Sequence, residues 1–251
     1  MEKLVYDAAH ARLEGTRELL SIVERLNNLG DDVLVSFGRP GGDASKQWLE
    51  RAIFEHARQA FSAIIATSNA QAHGDVLISN ELDETDLRFA AKGQSHINRT
   101  AAEIVGWVTP LVMNARKVKL IDPHFDPMAS RWKRMLRLLL STMAPVAQAG
   151  TTIEIHRSDK LPPQHLTRCF TSAVPPLLVG GIRILVFIHS DAVLHNRFIL
   201  TDTGGASYQT GLDDNEDGGS TPQDVVTWLA RDVFHNEWQS YSGGMPFLSF
   251  G

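Results

Sequence analysis

The sequence lacks three features that would each define a class of protein. It has one cysteine, Cys169, so neither an internal disulfide nor a thiolate metal cage is expected. It has no run of about twenty apolar residues, the length that spans a bilayer. Its first residues interleave charged and apolar side chains, unlike a signal peptide. These absences indicate a cytoplasmic protein without a membrane span.

A surplus of basic residues is also absent. The chain has 24 Lys and Arg against 29 Asp and Glu, a formal net charge of -5. Proteins that coat nucleic acid neutralise its backbone with excess Lys and Arg, so any phosphate-binding site here must be local. The hydrophobic content of 43% and charged content of 21% are ordinary for a globular protein and exclude extensive disorder.

Residues 1–97 are predicted to form a smaller α/β module. Within them, Leu19, Ile22, Val23 and Leu26 recur at helical spacing and predict a helix over 12–29. Further elements are expected in the order strand 33–37, helix 44–61, strand 63–67 and strand 75–79, followed by an acidic loop at 81–86. The role of this module is open, and it is the candidate docking surface for a protein partner.

Residues 98–251 alternate helix and strand patterns. The expected elements are a helix at 101–113, a strand at 117–121, a helix at 129–143, a strand at 151–156, a helix at 164–178, strands at 182–188 and 193–200, and a final helix at 222–234. This alternation predicts an α/β domain with a mixed, partly parallel sheet flanked by helices. Ligands of such sheets bind at the C-terminal strand ends, where Asp122 follows a strand.

The segment around 193–200 carries the strongest chemical signal. Strand alternation would place His195 and Arg197 on one face, and such a pair needs an anionic partner. A phosphate fits, because a guanidinium can hold two of its oxygens. An imidazole, with an ordinary pKa near 6.5, can act as nucleophile or proton carrier. Asp202 is expected to orient the ring; a structural salt bridge of Arg197 with Asp202 or Asp122 is the alternative.

The pattern His195-x-Arg197-x-x-x-x-Asp202 resembles the HxKxxxxD motif of the phospholipase D superfamily, with arginine in the lysine position. The stretch 119–126 resembles the strand end that opens a lobe of that fold, and the resemblance covers about 99–241. It implies a phospholipase-D-like lobe in which His195 attacks a phosphodiester and becomes a phosphohistidine. Arg197 then grips the phosphate, Asp202 orients the ring, and no metal or other cofactor is needed.

The chain contains one such motif, whereas the family uses two histidines. The resemblance therefore implies a homodimer with its two-fold axis near His195. Metal-independent phosphodiester cleavage is the leading function, with a nuclease favoured over a phospholipase because no amphipathic membrane-binding segment is evident. The same residues also resemble the phospholipase-D-like domain at the C-terminus of MIT-domain proteins. The alternative is accordingly a catalytically inactive module for dimerisation and for binding phosphate or protein.

Several other residues are candidates for substrate binding. His124 either binds the phosphate or caps a turn, and Asp122 is expected to fix its loop. Asp213 and Asn215 fall roughly where the superfamily has its second polar motif, within an acidic stretch that would repel a polyanion or mask the site. Arg134 belongs to a basic set on the helix at 129–143, which is either a wall that collects nucleic acid or a solvated face.

Overall fold

The computed structural model describes residues 43, 45–58, 61, 64–78, 81, 93–113, 115–215 and 222–251. The chain divides into two compact units, Met1–Ala91 and Lys92–Gly251. The boundary predicted at 97/98 instead cuts a strand, β3 (Gln94–Asn98), which pairs within the second unit. The predicted helix at 12–29 and strand at 33–37 lie outside the described residues.

The described part of the first unit contains one helix and a strand pair. Helix α1 (Trp48–Arg58) precedes β1 (Ile64–Ala66) and β2 (Val76–Ile78), which pair in parallel. All three were predicted, each within slightly longer bounds. Of the expected acidic loop at 81–86, the described residues include only Glu81.

The second unit contains a mixed eight-stranded sheet with the order β10-β6-β5-β4-β7-β8-β9-β3. After β3, its elements are α2 (Ala101–Val112), β4 (Lys117–Ile121), α3 (Ser130–Met143), β5 (Thr151–Ser158), α4 (Pro163–Ala173), a 3-10 turn (Pro175–Leu177), β6 (Ile182–His189), β7 (Phe198–Thr201), β8 (Gly204–Tyr208), β9 (Gln223–Trp228), α5 (Arg231–Ser240) and β10 (Leu248–Phe250). Strands β4, β5 and β6 are parallel, and the other pairings are antiparallel. The predicted α/β fold class is confirmed.

Each face of the sheet packs against helices. Val118 and Leu120 of β4 belong to the main core with side chains of α2, α3 and α4. The alternate residue Ile121 packs on the other face with Leu200 and with Phe234 of α5. Burial on both faces explains the apolar run Phe198–Leu200 of β7, whereas β4 and β5 also contain buried polar side chains. No described helix is both long and apolar enough to cross a bilayer.

Two predictions of local structure are wrong in the second half of the unit. Residues predicted as the helix 222–234 form β9, and the helix begins only at Arg231. The β-branched pair Val225 and Val226 favours an extended backbone, and Val226 is buried while its neighbours are less so. The strand predicted at 193–200 begins at Phe198, so the residues before it belong to a loop.

Candidate functional site

The candidate site lies at one edge of the sheet in the second unit. Because β4, β5 and β6 are parallel, their C-terminal ends meet at this edge, and antiparallel β7 begins there. The loops that follow β4 and β5 and the loop that precedes β7 therefore lie side by side. Asp122, His195 and Arg197 all belong to these loops.

His195 and Arg197 are neighbours at this edge, but they lie in the loop before β7 and not on one face of a strand as predicted. The His195 ring is exposed, and its Nε2 lies 3.2 Å from the carbonyl oxygen of Ala192. When Nε2 donates to that carbonyl, Nδ1 keeps its lone pair. The Arg197 side chain is 25% exposed, and its Nη1 donates to the His195 carbonyl at 3.5 Å.

Asp122 holds the neighbouring loop and Arg197 from inside. Its carboxylate is buried and accepts hydrogen bonds from the backbone N–H of His124 at 2.8 Å and of Leu212 at 3.1 Å. Its Oδ2 lies 3.9 Å from Arg197 Nε. Burial raises the pKa of Asp122, whereas those hydrogen bonds and Arg197 act in the opposite direction. Asp122 is thus the buried anionic neighbour of Arg197, and His124 lies in the turn with an exposed side chain.

Asp202 lies far from the His195 ring. It follows β7 in an exposed turn and accepts a hydrogen bond from the Arg116 N–H at 3.2 Å. Arg197 and Asp202 flank opposite ends of β7, about 16 Å apart at the usual rise of a strand. The prediction that Asp202 orients the imidazole is therefore wrong for this protomer, and the Ala192 carbonyl is the group in contact with the ring.

Asp213, Asp214 and Arg134 belong to one network of ion pairs. Asp213 contacts Arg99 and lies 3.3 Å from Arg131, while Asp214 lies 3.1 Å from Arg134. Both carboxylates are buried. Ion pairs that join separate segments in this way position the chain, and the place of Arg134 in a basic wall stays a prediction beside the alternative of a solvated helix face.

The same network ties the loop after β8 to the start of α2. Asp214 Oδ2 accepts from the backbone N–H of Ala101 at 3.2 Å, the first residue of that helix, where negative charge is favourable. The Asn215 N–H donates to the Arg99 carbonyl at 2.7 Å. The described contacts of Asp213 and Asn215 are internal, and their place in a second polar motif stays a prediction.

Gly211 is required for this arrangement. A β-carbon at Gly211 would lie 2.7 Å from Asp213 Oδ1 and 3.3 Å from Arg99 Nη2, and neither group can withdraw without breaking the ion pair. We expect Gly211→Ala to lower the free energy of unfolding by about 1–3 kcal/mol, measured by urea denaturation. Gly106→Ala is the matched control, because Gly106 lies exposed in α2 with no atom within 4 Å of its β-carbon position. It should stabilise the unit by about 0.5–1 kcal/mol; a Gly211→Ala variant that gains stability would contradict the packing described.

The sequence did not predict a buried polar network on the sheet face opposite the main core. Lys119 and Glu154 are both buried, with Nζ 3.6 Å from Oε2. The same Oε2 lies 3.4 Å from His156 Nε2, and His156 Nδ1 lies 2.9 Å from His189 Nε2. Alternation along β5 indicated that Glu154 and His156 share a face opposite Ile153 and Ile155. Their partners come from other elements, so the network itself was not visible.

No protein-family model and no curated protein matches the chain. Among solved structures, a phospholipase D family member, Nuc from Salmonella typhimurium, is similar over 59% of this chain and 90% of its own, at 12% identity and a TM-score of 0.39. TrmBL2, an archaeal chromatin protein described as showing a novel mode of DNA binding, is similar over 62% of this chain and 55% of its own, at 11% identity and a TM-score of 0.31. The roles of individual residues in this chain rest on its own geometry.

Proposed function

We propose that the second unit is a metal-independent phosphodiesterase of the nuclease class, with His195 as nucleophile and Arg197 as phosphate clamp. The observation that carries the proposal is that one loop at this sheet edge holds the exposed imidazole of His195 and, two residues on, a guanidinium 3.9 Å from the buried Asp122. A phosphate bound to the Arg197 fork would meet the His195 ring beside it. The resemblance to the HxKxxxxD motif supports the same chemistry.

The reaction would proceed in two displacements. His195 Nδ1 attacks phosphorus, the bond to the leaving oxygen breaks, and the leaving oxygen takes a proton from a general acid. Water then attacks the phosphohistidine, gives its proton to the group that acted as acid, and restores the free ring. Arg197 holds the non-bridging oxygens throughout, where negative charge accumulates.

The general acid would be His195 of a second copy. Large apolar side chains are exposed in each of the loops at this edge: Met128 at 45%, Leu161 at 37% and Val193 at 76%. Exposed apolar groups that surround a polar site are typical of an interface. A two-fold contact through these loops would cover them and bring two His195 rings to one phosphate.

Nucleic acid is the substrate class that the surroundings favour. Helix α3 starts directly after the loop that follows β4, and Arg131 in its first turn has a side chain that is 51% exposed. Lys133 and Arg137 continue this basic set along the helix with partly or fully exposed side chains. A helix that starts at the site and carries several cations suits a backbone with one phosphate after another.

A non-catalytic binding module is the second candidate. It is favoured by the pairing of Asp213 and Asp214 with Arg99, Arg131 and Arg134, which already neutralises cations near the edge. Arg197→Lys separates the two functions. A phosphodiesterase should keep its turnover with a lysine clamp, whereas a binder that depends on the bidentate fork should lose affinity for inorganic phosphate.

The decisive experiment incubates the full chain with labelled single- and double-stranded oligonucleotides in EDTA. Samples are quenched in alkali, because phosphohistidine is labile to acid, and are digested for mass spectrometry. Cleavage with a nucleotide attached through its phosphate to the peptide that contains His195 supports the phosphodiesterase. Saturable binding without cleavage supports the binding module and rejects the phosphodiesterase. If the protein neither cleaves nor binds the oligonucleotides, both proposed functions are rejected.

A further inference from the structure

The ion-pair network beside the candidate site contains more positive than negative charge. Among the described residues, the guanidiniums of Arg99, Arg131 and Arg134 share the two carboxylates of Asp213 and Asp214. The Arg99 side chain is 11% exposed and the Arg134 side chain is 31% exposed, whereas the Arg131 side chain is 51% exposed. Because a phosphate in solvent can reach only an exposed guanidinium, the excess charge of this network is available to a ligand at Arg131.

Asp213 holds the Arg131 guanidinium without engaging its whole fork. Arg131 Nη1 lies 3.3 Å from Asp213 Oδ2, while the other oxygen of that carboxylate contacts Arg99. A guanidinium has five N–H donors, so the other Arg131 donors can still bind oxygens of a phosphate. The backbone of Arg131 is also fixed, because its carbonyl accepts the Asp214 N–H at 3.3 Å. The side chain is therefore positioned before a ligand arrives, which reduces the entropy lost on binding.

The place of Arg131 in α3 is unfavourable for the helix itself. Arg131 lies in the first turn, where the helix dipole favours negative charge, and that turn contains no acidic residue. Asp213 offsets part of this cost from another segment of the chain. A bound phosphate would offset more of it, because the positive end of a helix attracts an anion. The electrostatic field at this end of α3 therefore acts in the same direction as the excess charge of the network.

Arg131 and Arg197 contact neighbouring carboxylates. The β-carbon position of Gly211 lies 2.7 Å from Asp213 Oδ1 and 3.6 Å from Asp122 Oδ2, so these two carboxylates lie close to the same residue. Asp122 is the anionic neighbour of Arg197, and Asp213 is that of Arg131. Since each guanidinium has its own carboxylate, the arrangement suits two phosphates of one strand rather than two oxygens of a single phosphate.

We propose that Arg131 determines specificity by binding a second phosphate of a nucleic-acid strand while Arg197 holds the phosphate that is cleaved. The role of Arg197 in this inference rests on the proposed function. A nucleic-acid strand supplies further phosphates at regular intervals, whereas a small diester supplies none. The second contact therefore gives the site a preference for a polymer.

Binding of a labelled single-stranded oligonucleotide to the full chain in EDTA tests the second contact. The parent protein for these measurements is His195→Ala, which keeps the strand intact, and Kd is measured over a range of salt concentrations. Adding Arg131→Gln should weaken binding by about tenfold. It should also lower the slope of log Kd against log salt by about 0.7, the value for one phosphate of a single strand. Arg131→Lys keeps the charge and should keep the slope.

Arg116→Gln, added to the same parent, is the matched control. Arg116 is an exposed arginine that precedes β4, at the end of that strand opposite Asp122, and its Nη2 donates to Gln148 Oε1 at 3.3 Å. The substitution changes the net charge by the same amount as Arg131→Gln, and it should leave the slope unchanged. Equal decreases of the slope in the two variants would overturn the second contact, because they would reflect net charge alone.

The failure of this inference differs from the failure of the proposed function. An Arg131→Gln protein with the slope of its parent would overturn the second contact, even if the wild-type chain cleaves the oligonucleotide. A slope that depends on Arg131, together with a wild-type chain that does not cleave, would support the second contact and reject the phosphodiesterase. Undetectable binding by the parent would also overturn the second contact, and cleavage by the wild-type chain would then decide the proposed function separately.

Discussion

Replacing His195 by alanine should reduce cleavage of a phosphodiester in EDTA by at least about 10³-fold, because the attacking nitrogen is removed. The variant should fold normally, since the His195 ring is exposed and contacts the Ala192 carbonyl of its own loop. Initial rates with bis(p-nitrophenyl) phosphate, a small diester that needs no extended binding surface, provide the measurement.

His165→Ala is the matched control for this loss. His165 is also an exposed histidine, but it lies on α4 outside the proposed site, so its removal should leave the rate unchanged. A His195→Ala protein that retains wild-type turnover would reject the nucleophile assignment. An equal loss in both variants would point to an indirect effect on the fold.

Replacing Lys119 by methionine should lower the free energy of unfolding by about 3–5 kcal/mol, the usual cost of removing one partner of a buried ion pair. Lys119 Nζ donates to the Trp238 carbonyl at 3.2 Å, the Tyr241 carbonyl at 2.6 Å and the Ser242 hydroxyl at 2.8 Å. These acceptors lie at the C-terminal end of α5. The variant therefore leaves the end of that helix without its cation and the buried Glu154 with only the half-exposed Lys117.

Lys117→Met isolates the effect of burial. Lys117 contacts the same carboxylate at 3.2 Å, but its side chain is 44% exposed, and exposed pairs contribute at most about 1 kcal/mol. Urea denaturation followed by tryptophan fluorescence measures both variants, since Lys119 Nζ lies 4.2 Å from the centre of the Trp238 ring. Equal losses for Lys117→Met and Lys119→Met would contradict the role assigned to the buried lysine.

The sequence predicted the elements whose apolar pattern is unambiguous. The strand Lys117–Ile121 was placed at its observed bounds, and the helix Ser130–Met143 within one residue. Both have enough apolar positions to distinguish the alternation of a strand from the spacing of a helix. In 222–234 the valines suit either a helix or a strand, and pairing with β3 and β8 determines the outcome.

The candidate site was only partly predictable for a related reason. Asp122 follows a short buried strand, and its role in fixing the loop was visible from that position. The role given to Asp202 assumed that the strand included His195, whereas the backbone leaves the sheet before Phe198. The other members of the buried network around Glu154 include Lys119 on β4, His189 on β6 and the segment after α5, so only the assembled sheet brings them together.

The pairing of β3 with β9 has a consequence for biosynthesis. Gln94 aligns with Thr227, so a strand made early in this unit waits for one that leaves the ribosome near the end of the chain. Such distant pairings slow folding, and in the meantime the unpaired backbone of β3 can associate with other chains. Chains that stop before β9 should therefore depend strongly on chaperones and aggregate without them.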